Sequence, residues 1–331
     1  MTADPSSSSP RHHDTDDPID SARSLGRIGE ADEAEAMLRA SLESNPHDLD
    51  LLCKLASLVG SGGRYEEALG MFVQALVIDD DHLGAQRGKA KALRKLRRLA
   101  EAEATARAAL ESHPDDLGIL VELGYVLFAQ RRYEDAMAAF DRALSVDAGD
   151  LHTLEGKAWS LRASGRLAEA EATARAALES HPDERWLLVE LSTLASEQGR
   201  YDEAIALADR VLLANADDAQ ALWNKVESLR LLGRINEAET IVRNWVESHP
   251  DDSWFRSELG WLEAAKGRNE DALAAFDDAL LSDATNVEAL MGRAQSLRRL
   301  RRFDEAETAI QSAYERRSDS PWVLTEPRST D

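Results

Sequence analysis

Three histidines stand in the same tetrapeptide, and histidine is the side chain best suited to proton transfer or metal binding near neutral pH. His113, His181 and His249 each occur as Ser-His-Pro-Asp, at equal intervals along the chain. If each repeat of about 34 residues adds one layer of helices, packed roughly 8–10 Å apart, these side chains lie two layers apart, at about 20 Å. They could not share one metal ion, so we expect them to occupy turns.

No other arrangement in the sequence matches a catalytic or cofactor site. It contains no glycine-rich phosphate loop, no nucleophile elbow and no paired metal motif. Cys53, the only cysteine, lies in an apolar helical run and excludes both an intrachain disulfide and a cysteine-based zinc site. The adjacent His12 and His13 lack further ligands. The carboxylates are expected on exposed faces, without an apolar pocket to shift their pKa. We therefore expect no enzyme activity, no cofactor and no metal.

The residues that could bind a partner are positioned by a strict internal repeat. Residues 98–115 and 166–183 are identical, and both read RLAEAEATARAALESHPD. An alanine that follows an acidic residue returns at a constant interval without insertion, at Ala34, Ala68, Ala102, Ala136, Ala170, Ala204, Ala238, Ala272 and Ala306. This period of about 34 residues lies in the range that indicates stacked supersecondary units. Alternate repeats are the most alike, so the duplicated unit is a pair of repeats.

Each repeat is predicted to form two amphipathic helices. The second helix begins at a residue such as Tyr65, Tyr133 or Tyr201, has acidic residues in its first turn, and ends where proline or a capping aspartate follows. The segment from Leu117 to Ala129 is a typical first helix, with apolar residues at steps of three and four. Gly124 within it lets a neighbouring helix approach closely. An aromatic content of 5% also favours helices over a β-sandwich.

A helix pair of about 34 residues, with small residues at two crossing points and a proline near the end, resembles the tetratricopeptide repeat family. The resemblance implies an all-α fold, a right-handed α-solenoid (superhelix) of antiparallel helix pairs. It covers residues 18–320 as nine repeats, at 18–48, 49–82, 83–116, 117–150, 151–184, 185–218, 219–252, 253–286 and 287–320. Trp245 departs from the pattern, since it stands where a small residue of the second helix is expected. In repeat 1, Pro18 shortens the first helix.

In this family the second, fifth, ninth and twelfth residues of the first helices face a concave groove. Carried over to this sequence, the basic and aromatic residues on this side are Arg87, Lys91, Arg94, Tyr125, Phe128, Trp159, Arg162, Trp186, Trp223, Arg230, Trp254, Trp261 and Arg298. Arginine holds the twelfth position of every second repeat. Tryptophan and arginine are enriched in binding hot spots, and arginine pairs with carboxylates in a bidentate manner. The family's Lys and Asn clamp for a C-terminal carboxylate is not matched, since Asn224 stands alone.

The same arginines have a second interpretation. Duplication of a repeat pair copies an arginine whether or not it binds anything. Each arginine could also pair with a neighbouring glutamate such as Glu122, Glu190 or Glu258. Some tryptophans could fill space between helices, and Trp245 is expected to do so.

Charge narrows the choice of partner and location. The net charge of −23 disfavours duplex nucleic acid and anionic membranes, and it also disfavours single-stranded RNA in an aromatic groove. No apolar run is long enough to span a membrane, and residues 1–17 have the composition of a disordered tail rather than a signal peptide. We expect a cytoplasmic protein.

Residues 321–331 form a C-terminal tail after the last predicted helix. Pro321 opposes a simple continuation of that helix. Trp322, Val323 and Leu324 could fold back over the last repeat, near Ala306, Ile310 and Ala313. They could instead insert into another molecule and cause self-association.

The sequence and the resemblance together favour a non-enzymatic protein–protein interaction scaffold. Its groove would hold a segment of a partner protein with acidic and apolar residues. One alternative is a structural protein that assembles through its C-terminal end, and another is an accessory subunit of an enzyme encoded elsewhere.

Overall fold

A computed structural model describes residues 31–318 of the 331-residue chain, and side chains up to residue 313. Within these residues it contains 17 α-helices and no strand. They are α1 (Ala31–Ser44), α2 (Leu49–Ser61), α3 (Tyr65–Ile78), α4 (Leu83–Lys95), α5 (Leu99–Ser112), α6 (Leu117–Ala129), α7 (Tyr133–Val146), α8 (Leu151–Ala163), α9 (Leu167–Ser180), α10 (Arg185–Glu197), α11 (Tyr201–Ala214), α12 (Ala219–Leu231), α13 (Ile235–Ser248), α14 (Ser253–Ala265), α15 (Asn269–Ser282), α16 (Val287–Arg299) and α17 (Phe303–Ser318).

The all-α solenoid prediction is confirmed. Helices α2 to α17 form eight pairs, each of which fills one of the predicted repeats, and α1 is the second helix of repeat 1. The predicted first helix of repeat 1 and the two predicted tails, residues 1–17 and 321–331, lie outside the described residues. No helix within residues 31–318 combines the length and the hydropathy needed to cross a bilayer.

The chain divides into two compact units, one ending at Ser180 and the other beginning at His181. The described part of the first contains α1 to α9, and that of the second contains α10 to α17. Inside each unit a helix packs on the next one along the chain. First helices also pack on first helices, as α2, α4, α6 and α8 do in succession in the first unit, and as α10 and α12 do in the second. The first helices of the first unit therefore lie side by side, which places their outward residues on a common face.

Most first helices begin at a capped N-terminus, and the second helices begin differently. Asp116 accepts a hydrogen bond from the backbone N–H of Ile119 at 2.8 Å, and this capping was predicted. An arginine precedes most second helices and makes no side-chain capping bond there. It pairs with the acidic residue three positions later, as Arg98 does with Glu101 at 2.7 Å. This arginine returns once in every repeat from the second to the ninth, at Arg64, Arg98, Arg132, Arg166, Arg200, Arg234, Arg268 and Arg302. Much of the arginine content therefore serves to fix helix starts.

The turn inside each pair needs one residue at positive φ. That residue is glycine at Gly63, Gly165, Gly199, Gly233 and Gly267, with φ between 74° and 82°. At Arg97, Arg131 and Arg301 an arginine adopts the same conformation, at φ 61° to 62°. Glycine enters this left-handed region without steric cost, whereas an L side chain is strained there.

Phenylalanines and glycines interlock the helices of alternate repeats. In the first unit the buried ring of Phe140, on α7, lies between Gly124 on α6 and Gly156 on α8, and a Cβ at either glycine would overlap it. Phe276 lies between Gly260 and Gly292 in the same manner. The close approach predicted at Gly124 is therefore present, and its partner is a ring rather than backbone.

In one repeat pair of the second unit, different residues fill the positions of this phenylalanine and its two glycines. Ala208 stands where the other pairs have phenylalanine, and Ser192 and Asn224 stand where they have the small residues. All three are buried. The Ser192 hydroxyl donates to the Ala204 carbonyl at 2.8 Å, and Asn224 donates to the Thr193 hydroxyl at 3.0 Å. Asn224 thus has a packing role here rather than a place in a carboxylate clamp.

Trp245 is buried on a second helix, as predicted. Its indole N–H donates to Asp252 Oδ2 at 2.9 Å, and its ring stacks on His249 at 4.0 Å between centroids. It also contacts the ring of Phe255. A large side chain fits at this position because it spans the turn into α14 and helps to fix the N-cap aspartate of that helix.

Candidate functional site

The histidines of the Ser-His-Pro-Asp sequences do not form a site. His113 and His249 are the residues that directly follow α5 and α13, and His181 directly follows α9, so all three occupy turns as expected. Within residues 31–318 no group of three His, Cys, Asp or Glu side chains is placed to hold a metal ion.

Cys53 is half-buried on α2, with its sulfur 3.7 Å from His82 Nδ1. Burial, and to a lesser degree the charge of Asp50, raises the pKa of its thiol to about 11. Since the thiolate is the nucleophile, this cysteine is unreactive near neutral pH.

The expectation that carboxylates lie only on exposed faces is wrong. Glu122, Glu190, Glu258, Glu263 and Asp218 are each at most 6% exposed. Burial of an ionised carboxylate is tolerated where a cation and hydrogen bonds accompany it. At Glu122, Asp218 and Glu263 the accompanying cations are arginines.

The Glu122 carboxylate forms an ion pair with Arg94, and Asp218 forms one with Arg185. Glu263 forms ion pairs with both Arg243 and Arg268. At Asp218, burial acts to raise the pKa, but hydrogen bonds from Arg185 and from the backbone of Ala221 lower it overall. The burial of these carboxylates was not predicted, because every polar face of the helices was assumed to be exposed to solvent.

Helix α4 is the most basic helix of the described chain. It carries five cations and no acidic residue, in a protein of net charge −23. Arg87, Lys91 and Lys95 are exposed and follow one another at steps of four, so they lie on one side of the helix. None of them forms an ion pair within residues 31–318. We call these three residues the basic stripe.

Arg94, the first arginine of the predicted ladder, lies beside the stripe but is already paired. Its Nε lies 2.5 Å from Oε1 of the buried Glu122 on α6. Its guanidinium carbon is 5.3 Å from the ring centroid of Tyr125 on the same helix, within cation–π range. Arg94 therefore joins α4 to α6, which agrees with the pairing to Glu122 considered as the second interpretation of the ladder.

Next to the stripe, α6 and α8 present three half-buried aromatic side chains that we call the aromatic cluster. Tyr125 and Phe128 lie on α6 and Trp159 on α8, with centroid distances to the indole of 6.3 and 6.4 Å. The Tyr125 hydroxyl donates to the His152 carbonyl at 2.8 Å, which ties the two helices together. Burial raises the pKa of this phenol, so Tyr125 stays a neutral donor. The cluster pairs a fixed apolar surface with the cations of α4 in the same unit.

In the second unit the corresponding face carries several large apolar side chains. Trp223 on α12 and Trp254 on α14 meet edge to face, 4.3 Å apart, and Trp254 is 39% exposed. Trp261 lies against Phe276, 5.3 Å between centroids. Trp186 on α10 is half-buried, and Met291 on α16 is 50% exposed. The predicted tryptophans are thus brought together only in part, with Trp223 and Trp254 in direct contact.

The remaining ladder arginines have different surroundings. Arg230, on α12, is half-buried and forms two hydrogen bonds to the Glu227 carboxylate, at 2.6 and 2.8 Å. Those bonds, with a smaller effect of Glu258, raise its pKa. Arg162 is half-buried on α8 and has a partner. Arg298, on α16, is exposed and has no ion pair within the described residues.

Comparison with known proteins identifies the family. Three sequence profiles described as tetratricopeptide repeat match one after another, one at residues 12–88, one at 87–151 and 257–321, and one at 127–191, 161–228 and 195–257. The chain belongs to the tetratricopeptide repeat family. No curated protein matches the sequence. The repeats of this family indicate a scaffold for protein–protein interaction, and its members are typically not enzymes.

Solved structures of the family share the fold. A tetratricopeptide repeat protein from Parabacteroides merdae aligns with a TM-score of 0.60 at 19% identity, over 70% of this chain and 91% of that one. TTC0263, a thermophilic TPR protein of Thermus thermophilus, gives 0.50 at 22% identity, over 55% and 99%. The human IFIT1 dimer with m7Gppp-AAAA gives 0.58 at 15% identity, over 89% and 80%. At these identities the likeness concerns the fold alone.

Proposed function

We propose that this tetratricopeptide repeat protein is a non-enzymatic scaffold that binds an acidic segment of a partner protein on the first-helix face of its first unit. The observation that carries the proposal is the basic stripe, Arg87, Lys91 and Lys95. Cations that lack an internal partner, in a chain with 62 acidic and 39 basic residues, are available for an external carboxylate.

The stripe has a cost within the fold. Like charges four residues apart destabilise a helix by about 0.2–0.5 kcal/mol per pair. Elsewhere in the unit arginines are matched to acidic residues, as Arg98 is to Glu101 and Arg132 is to Asp135. A segment with carboxylates at matching intervals would remove this repulsion and form charge-assisted hydrogen bonds.

The aromatic cluster supplies the apolar part of the same surface. Tyr125, Phe128 and Trp159 are held by one another, by Phe140 and by the hydrogen bond to His152, so little entropy is lost when a partner covers them. Their rings are sites for apolar side chains that alternate with the acidic ones. Arg94, fixed by Glu122, contributes to packing of this surface more than to its charge.

Nucleic acid is the competing class of ligand. IFIT1, one of the structural neighbours, was solved with m7Gppp-AAAA. A net charge of −23 opposes the approach of a polyanion, whereas a short acidic segment with apolar residues meets the stripe and the rings together. We therefore favour a protein partner and keep an oligonucleotide as one arm of the test.

The test compares three forms of the protein as baits in source-cell lysate, followed by titration with a labelled acidic-apolar peptide and with a single-stranded oligonucleotide. One bait is wild type, one carries Arg87→Glu, Lys91→Glu and Lys95→Glu, and one carries Arg87→Lys, Lys91→Arg and Lys95→Arg. The last retains every charge and is the matched control. Circular dichroism checks that all three remain helical.

We expect wild type and the charge-retaining bait to capture the same protein and to bind the peptide, with affinity that falls as salt rises. The charge-reversed bait should lose at least about tenfold in affinity, since several charge-assisted contacts are removed. Equal capture by all three baits would show that the stripe is not the binding surface. Binding of the oligonucleotide in preference to the peptide would replace the protein partner with nucleic acid.

A further inference from the structure

A set of ion pairs joins second helices to the first helices that follow them. In three repeat pairs an aspartate on the second helix meets a cation at a constant interval along the chain. The pairs are Asp141–Lys157 at 2.7 Å, Asp209–Lys225 at 2.6 Å and Asp277–Arg293 at 2.6 Å. Where α3 meets α4, the cation is present as Lys89, but Val73 stands in place of the aspartate.

Lys89 keeps a position that elsewhere lies between two carboxylates. Its equivalent Lys157 has Asp141 on one side, and its charge acts on a glutamate of α9 on the other. Lys89 is half-buried and forms no ion pair in the part of the chain that the structure describes. Its charge acts on Glu101 of α5, adding to the Arg98 hydrogen bond that lowers the pKa of that carboxyl. The carboxylate on the α3 side is therefore the one that is missing.

The α3 side next to Lys89 is apolar and exposed. Val73 is 43% exposed, and Val77, one turn later on the same helix, is 82% exposed. The equivalent residues of α7 are Asp141 and Ser145. In α11 and α15 the first of the two places again holds an aspartate. Helix α3 thus withholds an internal partner from Lys89 and places an apolar surface beside it.

The equivalent helices one repeat pair later enclose a cavity of about 380 Å³, lined by α7, α8 and α9 with Asp141 and Lys157 among its residues. Helix α5 has the same sequence as α9, and α3, α4 and α5 pack in the same order. The corresponding groove has Val73 on one side, Lys89 at its floor and Glu101 on the other side, and we call it the Lys89 groove. It lies away from the basic stripe, because Lys89 is two residues, about 200° around the helix, from the nearest members of the stripe.

We propose that the Lys89 groove is a second docking site, which binds an amphipathic helix of a partner protein with one carboxylate between apolar residues. The carboxylate takes the place beside Lys89 that Asp141 holds beside Lys157. Apolar side chains of the partner cover Val73 and Val77. These valines follow one another along α3 at about 6 Å, which is also the spacing of residues one turn apart on a docked helix. The missing charge selects the carboxylate, and the exposed valines supply the apolar contact.

The test is a selection of helical peptides on the full-length protein, with two matched exchange variants. The α3 exchange carries Val73→Asp and Val77→Ser, which gives α3 the residues of α7. The α7 exchange carries Asp141→Val and Ser145→Val, which is the reverse change. A displayed library of peptides of about 14 residues, four helical turns, is selected on wild type and counter-selected on the α3 exchange. Lys89→Gln removes the charge alone, and circular dichroism checks that every form remains helical.

We expect the selected peptides to share an acidic residue with apolar residues one turn away. Lys89→Gln, or replacement of that acidic residue by its amide, should weaken binding about tenfold. The two changes together should weaken it little more than either alone, because both remove the same charge-assisted bond. The α7 exchange should create an equivalent groove and double the number of bound peptides. Reversal of the charges of the basic stripe should leave binding unchanged, which separates this site from the proposed function.

A selection that yields no peptide able to distinguish wild type from the α3 exchange would overturn the proposal. Peptides whose binding survives Lys89→Gln would also overturn it, as would peptides released by reversal of the stripe, because those would lie on the other side of α4. Self-association of the wild-type protein in sedimentation, if the α3 exchange abolished it, would assign the groove to a second copy of this chain instead of a partner protein.

Discussion

Arg97, Arg131 and Arg301 occupy a backbone conformation that glycine occupies at five equivalent turns. Each lies between the two helices of a repeat, at φ 61° to 62°. The side chains are at least partly exposed, so little burial offsets the strain of the left-handed region. Their presence shows that the turn geometry is imposed by the packing of the helices on either side.

We predict that Arg131→Gly stabilises the protein by about 1 kcal/mol and that Gly233→Arg destabilises it by a similar amount. The first substitution relieves strain at φ 62°, and the second introduces it at φ 74°. Urea unfolding followed by circular dichroism measures both. As a control, Arg142→Gly, placed inside α7, should destabilise because glycine is a poor helix former. A loss of stability in Arg131→Gly would contradict the prediction.

At the scale of helices, the residues that pack against one another differ as a group between repeat pairs. Phe140 with Gly124 and Gly156 forms one set, and Ala208 with Ser192 and Asn224 forms another at the same place in a different repeat pair. In the first set the phenylalanine ring occurs with two glycines, which have no side chain. In the second set the alanine methyl group occurs with a serine and an asparagine, which donate hydrogen bonds to a backbone carbonyl and to a hydroxyl. The two sets fill comparable space by different means.

We predict that Ala208→Phe alone destabilises the protein by about 1–3 kcal/mol, because a ring is forced into a filled site. Adding Ser192→Gly and Asn224→Gly should recover most of that loss, since the ring then meets glycines as Phe140 does. The midpoint of chemical denaturation of each variant measures the coupling. If the changes in the free energy of unfolding from the three substitutions simply added, the idea that one residue set can replace the other would be contradicted. Residues in contact are expected to show coupled effects.

Much at this scale was predictable from the sequence. The repeat period predicted the alternation of first and second helices within residues 31–318, and the first helix Leu117–Ala129 is observed with the predicted limits. Pairing of a ladder arginine with Glu122 was considered from the sequence, but helical periodicity could not decide between it and partner binding, because Arg94 and Glu122 lie on different helices. The constant spacing from these arginines to Glu122, Glu190 and Glu258 is the signal in the sequence that favours internal pairing. Arg87 and Lys91 of the basic stripe were predicted as groove residues, but periodicity did not single them out, since their importance depends on which cations are left without internal partners.

For the molecule as a whole, the repeat places carboxylates with a lowered pKa at equivalent positions, so the same group governs the loss of stability at low pH in several repeat pairs. Glu35, Glu103 and Glu239 occupy the same place in different repeat pairs, and the pKa of each is lowered. At Glu239 burial opposes the shift, but hydrogen bonds from Lys266, Arg243 and Arg268 outweigh it and bring the pKa to about 2. A carboxyl whose pKa is lowered by folding stabilises the protein above its unfolded pKa. That stabilisation is lost as the pH falls through the folded value.

We predict that Glu239→Gln lowers the free energy of unfolding by about 1–3 kcal/mol at pH 7, since three cations lose a charged acceptor. The difference from wild type should shrink as the pH falls from about 4.5 toward 2, where the wild-type carboxyl itself becomes protonated. Urea titrations at a series of pH values measure it. Glu247→Gln, at an exposed site on the same helix, should change stability by less than about 0.5 kcal/mol. A difference between Glu239→Gln and wild type that stays constant with pH would contradict this account.

Helices α5 and α9 have the same sequence and bury equivalent alanines, Ala102 and Ala106 in one and Ala170 and Ala174 in the other. A surface that accepts one copy accepts the other, so side-chain recognition cannot distinguish them while the chain folds. Loop closure does distinguish them. Residues 96–98 join α4 to α5, whereas residues 96–166 separate α4 from α9. Closing the longer loop costs about 3 kcal/mol more in conformational entropy. On the ribosome the first copy is complete before the second exists, so the native choice is made by time of emergence. In refolding from denaturant both copies compete at once, and a slip by one repeat pair becomes a kinetic trap that synthesis avoids.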